Sequence, residues 1–162
     1  MDLSVFVDLS TIASEQAKAT KTTLKNVHQV LYYLSTNMYA TIRFHASDMV
    51  LNIYSDASHL SENNSKSLAS GHFFLGCFPK DRETITLNSA MFTLYIILKY
   101  MTSLAAEAEL GVIFMNVKEG ITISLVLSEL GHPQPLTPIH CNNATAAGIS
   151  NGTIKNSAPV PC

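Results

Sequence analysis

Two segments of this chain could bring carboxylates to one place. Val50-Leu51-Asn52-Ile53-Tyr54-Ser55-Asp56 alternates like a half-buried strand and then delivers one acid at its end. Further along, Ala105-Ala106-Glu107-Ala108-Glu109-Leu110 is helix-prone and carries two more acids. Acids on a strand and on a helix suit divalent-metal chemistry on phosphodiesters. Hydrolysis by two metals needs several carboxylates around ions about 3.5–4 Å apart, one activating the attacking water and the other stabilising the leaving oxygen. Magnesium wants oxygen ligands and keeps several waters. In such a site Asp56 would bridge both ions, a glutamate of the helix would add a ligand, and an aspartate ending a fourth strand would add another.

The elements that must hold these residues can be read from periodicity. Residues 1 to 13 show no pattern. From Ser14 to Leu34 the chain reads as a helix, with Leu24, Val27, Leu31 and Leu34 on one stripe and Lys18, Lys21 and Lys25 elsewhere. Thr41 to His45 alternates as a short strand, and the Val50–Tyr54 strand follows. Leu60 to Ser70 is rich in Ser, Asn and Lys and reads as a loop or hairpin connection. Gly71 to Gly76 is a further strand, Pro79 to Arg82 a turn, and another strand lies within Thr84 to Leu98. Its run Ala90–Leu98 is about half the length needed to span a bilayer and reads as a buried strand. From Leu104 the period becomes helical, with Leu110, Ile113, Phe114 and Val117 as the apolar face and Gly131 and Pro133 ending the helix near Leu130. Leu136 to Cys141 is a short strand, and Asn143 caps a brief helix over Ala144 to Ile149.

Composition bounds the class. The chain has 162 residues, 47% of them hydrophobic, enough for one domain with a real core. Charged residues are only 14% and formal net charge is −2, so overall charge does not advertise nucleic-acid binding. A nuclease with this balance needs metal ions or a basic neighbour to meet phosphate. Cys77, Cys141 and Cys162 are far apart, which argues against a disulfide framework or a structural zinc site and for a reducing compartment. The start, MDLSVFVDLSTIAS, has no secretory pattern. The expected location is intracellular, cytoplasmic or nuclear, with no membrane. His45, His59, His132 and His140 show no ligand spacing, His72 reads as a packed or edge histidine, and Cys141 as a small buried residue.

Five segments in order resemble the ribonuclease H domain of copia-type retrotransposon polyproteins. Val30-Leu31-Tyr32-Tyr33-Leu34 is similar to the helix leading from the reverse transcriptase. Tyr54-Ser55-Asp56-Ala57 is similar to the first catalytic strand, and the run from Lys66 to Gly76 to the second strand with its preceding loop. Ala105-Ala106-Glu107-Ala108-Glu109-Leu110 is similar to the family's helix motif, usually Ser-Ser-Thr-Glu-Ala-Glu followed by an apolar residue. Cys141-Asn142-Asn143-Ala144-Thr145-Ala146 is similar to its Asp-Asn-x-(Ser/Thr)-Ala segment. The resemblance runs from Thr22 to Ile149.

The resemblance implies an α/β, ribonuclease H-like mixed sheet: three antiparallel strands, then helix, strand and helix, truncated at the C-terminal end. It implies a connecting segment over 1–40, the domain over 41–150 and a flexible tail over 151–162. The implied substrate is the RNA strand of an RNA–DNA hybrid, the implied cofactor is Mg2+ (two ions), and the implied partner is the reverse transcriptase domain of a parent polyprotein. Asp56, Glu109 and Asn142 fall at its catalytic and metal positions, Glu109 being preferred to Glu107 because an apolar residue follows it. The family's third acid is replaced by Asn142, whose amide brings no negative charge, and no Asp or Glu follows Glu129. Activity is therefore expected to be impaired or absent. The alternative is a non-catalytic nucleic-acid-binding module or a decayed retroelement remnant.

Overall fold

In a computed structural model the described residues are 5–62, 66–78, 88–99 and 103–153. The chain divides into two compact units, Met1–Phe44 and His45–Cys162. The first holds helix α1 (Phe6–Ser14), a 3-10 turn at Gln16–Lys18 and helix α2 (Lys21–Thr36). The expected single helix from Ser14 is thus broken, and the cause is local. Thr20 and Thr23 form a reciprocal capping box, each side chain accepting the other's backbone N–H, and the Thr23 hydroxyl donates to Glu15 Oε2 at 2.6 Å. The side of α2 that is buried carries Thr23 and Val30, while Leu24 and Leu31 of the expected apolar stripe are exposed.

The second unit is an α/β fold on a four-stranded mixed sheet. Its strands are β1 (Val50–Glu62), β2 (Lys66–Gly76), β3 (Ala90–Ile97) and β4 (Ile139–Cys141), in the order β3-β2-β1-β4. β1–β2 and β2–β3 are antiparallel, and β4 joins β1 in parallel. Helix α3 (Ala105–Glu129) links β3 to β4, and helix α4 (Ala144–Ser150) follows β4.

Several elements differ from expectation. Thr41 to His45 forms no strand; His45 gives its backbone N–H and C=O to the side-chain amide of Asn88, both at 2.9 Å. The expected loop or hairpin connection over Leu60–Ser70 is a hairpin whose strands reach into it, since β1 runs to Glu62, pairs there with Lys66, and β2 begins at Lys66. The polar composition there misleads because Ser67 is buried and its hydroxyl accepts the N–H of Leu60, which sits at a positive φ of 53° in a bulge of β1. The Ala90–Leu98 run is an edge strand rather than a buried one: Met91, Phe92 and Ile96 are exposed, and only Ala90 and Leu98 are buried. The Pro79–Arg82 turn lies outside the described residues.

Helix α3 is long and apolar enough to cross a bilayer by length and composition, yet one face of it lies on the sheet. That face is not Leu110–Ile113–Phe114–Val117. Ala108, Val112, Asn116 and Gly120, spaced by four, are buried together with Leu127, while Phe114 is 66% exposed. The small side chains let the helix approach. A Cβ at Gly120 would stand 2.7 Å from Ile53 Cδ1, and one at Gly71 on β2 would collide with Asn116 Oδ1. Under the helix, Leu51, Ile53, Phe73 and Leu127 form one core cluster, and Ala69, Leu98 and Val112 a second. Gly131 ends α3 at φ +90°: its N–H reaches Ser128 O and that of His132 reaches Leu127 O, a Schellman pair that needs the left-handed residue glycine supplies.

Candidate functional site

The site forms where β4 stops and β1 does not. β4 pairs with β1 only at Ile53–Ile139, Tyr54–His140 and Ser55–Cys141. Asp56 and Asn142 are the next residues on each strand, free of that ladder but still side by side. Asn142 Nδ2 donates to Asp56 Oδ1 at 3.1 Å, and both residues are exposed. Asp56 is not at a strand end, as β1 continues six residues further, to Glu62; it is at the end of the parallel pairing.

Alternation puts the neighbouring residues on the other face. Ile53 and Ala57 pack toward α3, so Ser55 and Cys141 share that face. There the Cys141 thiol donates to Glu109 Oε2 at 3.7 Å. Glu109, in the second turn of α3, is 5% exposed and also accepts the backbone N–H of Ala57. Burial pushes the Glu109 carboxyl above its ordinary range; the Ala57 N–H and the Cys141 thiol pull it back, and the charge of Asp56 pushes it further up. Burial likewise raises the Cys141 thiol. The N–H of Asn143, 3.4 Å from the sulfur, opposes this, and the charges of Glu109 and Asp56 reinforce it.

The structure thus sets Asp56 and Asn142 in contact on one face of the sheet and Glu109 beside Cys141 on the other, with Asp56 near enough for its charge to act on Glu109. It separates the two glutamates of the helix motif. Glu107 turns back to accept the N–H of Ser103 at 2.9 Å, an exposed contact at the helix start, whereas Glu109 points inward. The end of β4 is fixed by α4, where Asn143 Oδ1 accepts the N–H groups of Thr145 and Ala146, the expected cap.

Three groups at the site carry no signal in the sequence. Cys141 reads there as a small buried residue; only the parallel register with Ser55 shows that its thiol meets Glu109. The Ala57 N–H is an ordinary strand donor that happens to lie just beyond β4. Asn116, two turns below Glu109, donates to Ser55 Oγ at 2.9 Å and to Ser70 O at 3.0 Å, and its buried Oδ1 has no hydrogen-bond partner among the described residues. On the opposite face the ring of His140 lies 4.8 Å from that of Tyr54 and its Nε2 donates to Asn52 Oδ1 at 3.3 Å; burial lowers its pKa.

A magnesium pair needs a shell of oxygens facing the ions. Here Asp56 meets an amide N–H and Glu109 meets a thiol and a backbone N–H. Among the described residues no three His, Cys, Asp or Glu side chains stand ready as a metal-ligand group. The donor set in this arrangement does not fit two magnesium ions, because residues 141 and 142 present hydrogen-bond donors to both acids. Compared with protein-family models, curated proteins and solved structures, the chain gives no match.

Proposed function

We propose that this chain is a ribonuclease H-like domain of a copia-type retrotransposon polyprotein, in which metal-assisted hydrolysis of the RNA strand of an RNA–DNA hybrid is impaired or lost. The observation that carries the reading is the contact of Asp56 with Asn142 at the end of the parallel pairing, with Glu109 of α3 near enough to feel the Asp56 charge, three residues far apart in sequence and from three elements. The order β3-β2-β1-β4, with one long helix leading to a parallel fourth strand, agrees with it. In this reading residues 1–40 are the connection from a reverse transcriptase domain of the same polyprotein, and the protein acts inside the cell.

The loss follows from charge. Two divalent cations carry four positive charges, and an amide in place of the third acid withdraws one negative charge where they would be gathered. The test is cleavage of a labelled RNA–DNA hybrid in magnesium or manganese. The natural chain leaves the hybrid intact, and Asn142→Asp gains metal-dependent cleavage that a further Asp56→Asn removes. Magnesium-dependent cleavage by the natural chain, abolished by Asp56→Asn alone, would overturn the proposed loss.

The Asn142–Asp56 hydrogen bond favours a second reading, a non-catalytic module. It predicts hybrid binding without cleavage, unchanged in Asp56→Asn. Absence of any binding identifies a remnant.

A further inference from the structure

We propose that the outer face of α3 pairs with the same face of a second copy of this chain, the two helices running antiparallel. The inference goes beyond the ribonuclease H-like reading and does not rest on it.

The apolar stripe that periodicity marks on α3 is the one the sheet leaves outside. Phe114, Ile121 and Leu125 stand on it and Leu136 lies beside it, with exposures from 57% at Ile121 to 90% at Leu136. Of the most apolar part of α3 only 22% is buried, so its own sheet uses little of that surface. Along one border of the stripe, Val117, Ile121, Leu125, Pro135, Leu136 and Ile139 line a groove of about 310 Å³, a hollow for the side chains of another helix.

Charge selects the partner. Lys118 and Glu129 are both exposed and lie three helical turns apart, so they share the other border of the stripe. When two such helices pair antiparallel about a two-fold axis, like borders meet. Lys118 of each copy then faces Glu129 of the other, and Ile121 of each faces Leu125 of the other. Antiparallel helix dipoles add to the attraction. A lipid surface is served less well. Lys118 is the only base of α3, against Glu107, Glu119 and Glu129 on its exposed surface, whereas helices that lie on membranes carry Lys and Arg beside the apolar face. The area also suits a second copy. Phe114, Ile121, Leu125 and Leu136 together present on the order of 500 Å² of apolar surface. An interface is about 56–65% apolar, so with its polar border this face approaches the roughly 800 Å² per partner of a standard interface.

Sedimentation of the full chain across a concentration series tests this. The expected result is a reversible equilibrium between monomer and dimer. Ile121→Arg, at an exposed position, raises the dissociation constant at least about tenfold and leaves the circular-dichroism spectrum unchanged. Lys118→Glu and Glu129→Lys each raise it at least about threefold, and the double reversal returns it to within about twofold of the natural value. A chain that stays monomeric at every concentration, association that survives Ile121→Arg, or single reversals that the double one fails to repair would each overturn the proposal. So would a monomer that instead floats with phosphatidylcholine vesicles and loses them in Ile121→Arg, an outcome that gives the face to lipid.

Discussion

Helix α3 meets strand β1 in two very different ways along its length. Toward its C-terminal end the contact is apolar: Leu51, Ile53, Phe73 and Leu127 interlock, and Gly120 lets the helix settle onto Ile53. Toward its N-terminal end polar contacts interleave with a second apolar cluster, Ala69, Leu98 and Val112: Asn116 reaches Ser55 and Ser70, Glu109 is buried beside Cys141, and Asp56 lies just beyond. The first end gains stability from area removed from water. The second carries a buried acceptor without a partner among the described residues and a carboxyl held above its usual range, both costly features of a kind that gather at functional sites. One helix thus anchors at one end and tolerates strain at the other.

Substitutions at each end sharpen the contrast. Phe73→Ala, at the anchoring end, costs about 3–5 kcal/mol of unfolding free energy, read by denaturant melts. A cost under about 1 kcal/mol would show that the anchor lies elsewhere. Gly71→Ala drives a methyl into Asn116 Oδ1 and costs about 1–3 kcal/mol. Much of that cost returns when Asn116→Ala is added, because the two residues share one space; strictly additive losses would sink this account.

The smallest effects distinguish the two glutamates. A carboxyl whose folded pKa lies above its unfolded value gives stability that is fully present below the unfolded pKa and is lost as pH rises through the folded one. Glu109 is such a group. Glu109→Gln therefore flattens the fall in stability above the ordinary carboxylate range, and its melting temperature at neutral pH equals or exceeds that of the natural chain. Glu107→Gln, which touches only an exposed helix start, changes stability by less than about 0.5 kcal/mol. Equal pH profiles for the two variants would contradict the burial of Glu109.

Much of this was readable from the residues, and the failures share a cause. Asn143 as a cap and Gly131 as a helix end are local devices, set by a few neighbouring backbone groups. The pairing of Asp56 with Glu109 was implied by the resemblance of their two segments to one family, whereas periodicity placed Asp56 at a strand end and chose the wrong face of α3. What periodicity missed depends on what an element packs against. The buried side of α3 was hidden because its residues there are small or polar, while Phe114, Ile121 and Leu125 point outward. Ser67 and Ala69 fell in a stretch read as a loop or hairpin connection because their partners, Leu98 for both and Val112 for Ala69, lie far along the chain. Cys141 gained its place from a parallel register that no spacing encodes.

The outer edge of β1 has a consequence for hydrogen exchange. The Leu51 N–H is held by the side chain of Gln134, that of Ile53 by the carbonyl of Pro138 and that of Ala57 by the carboxylate of Glu109. The amides of Asn52, Tyr54 and Asp56 face β2. Alternate amides of one strand therefore report on different openings: even positions exchange when the β1–β2 hairpin parts, odd ones when β4 and its flanking side chains let go. At Ala57 the releasing event is protonation or departure of a single side chain, so its exchange rate alone in the strand should follow the state of the acid site.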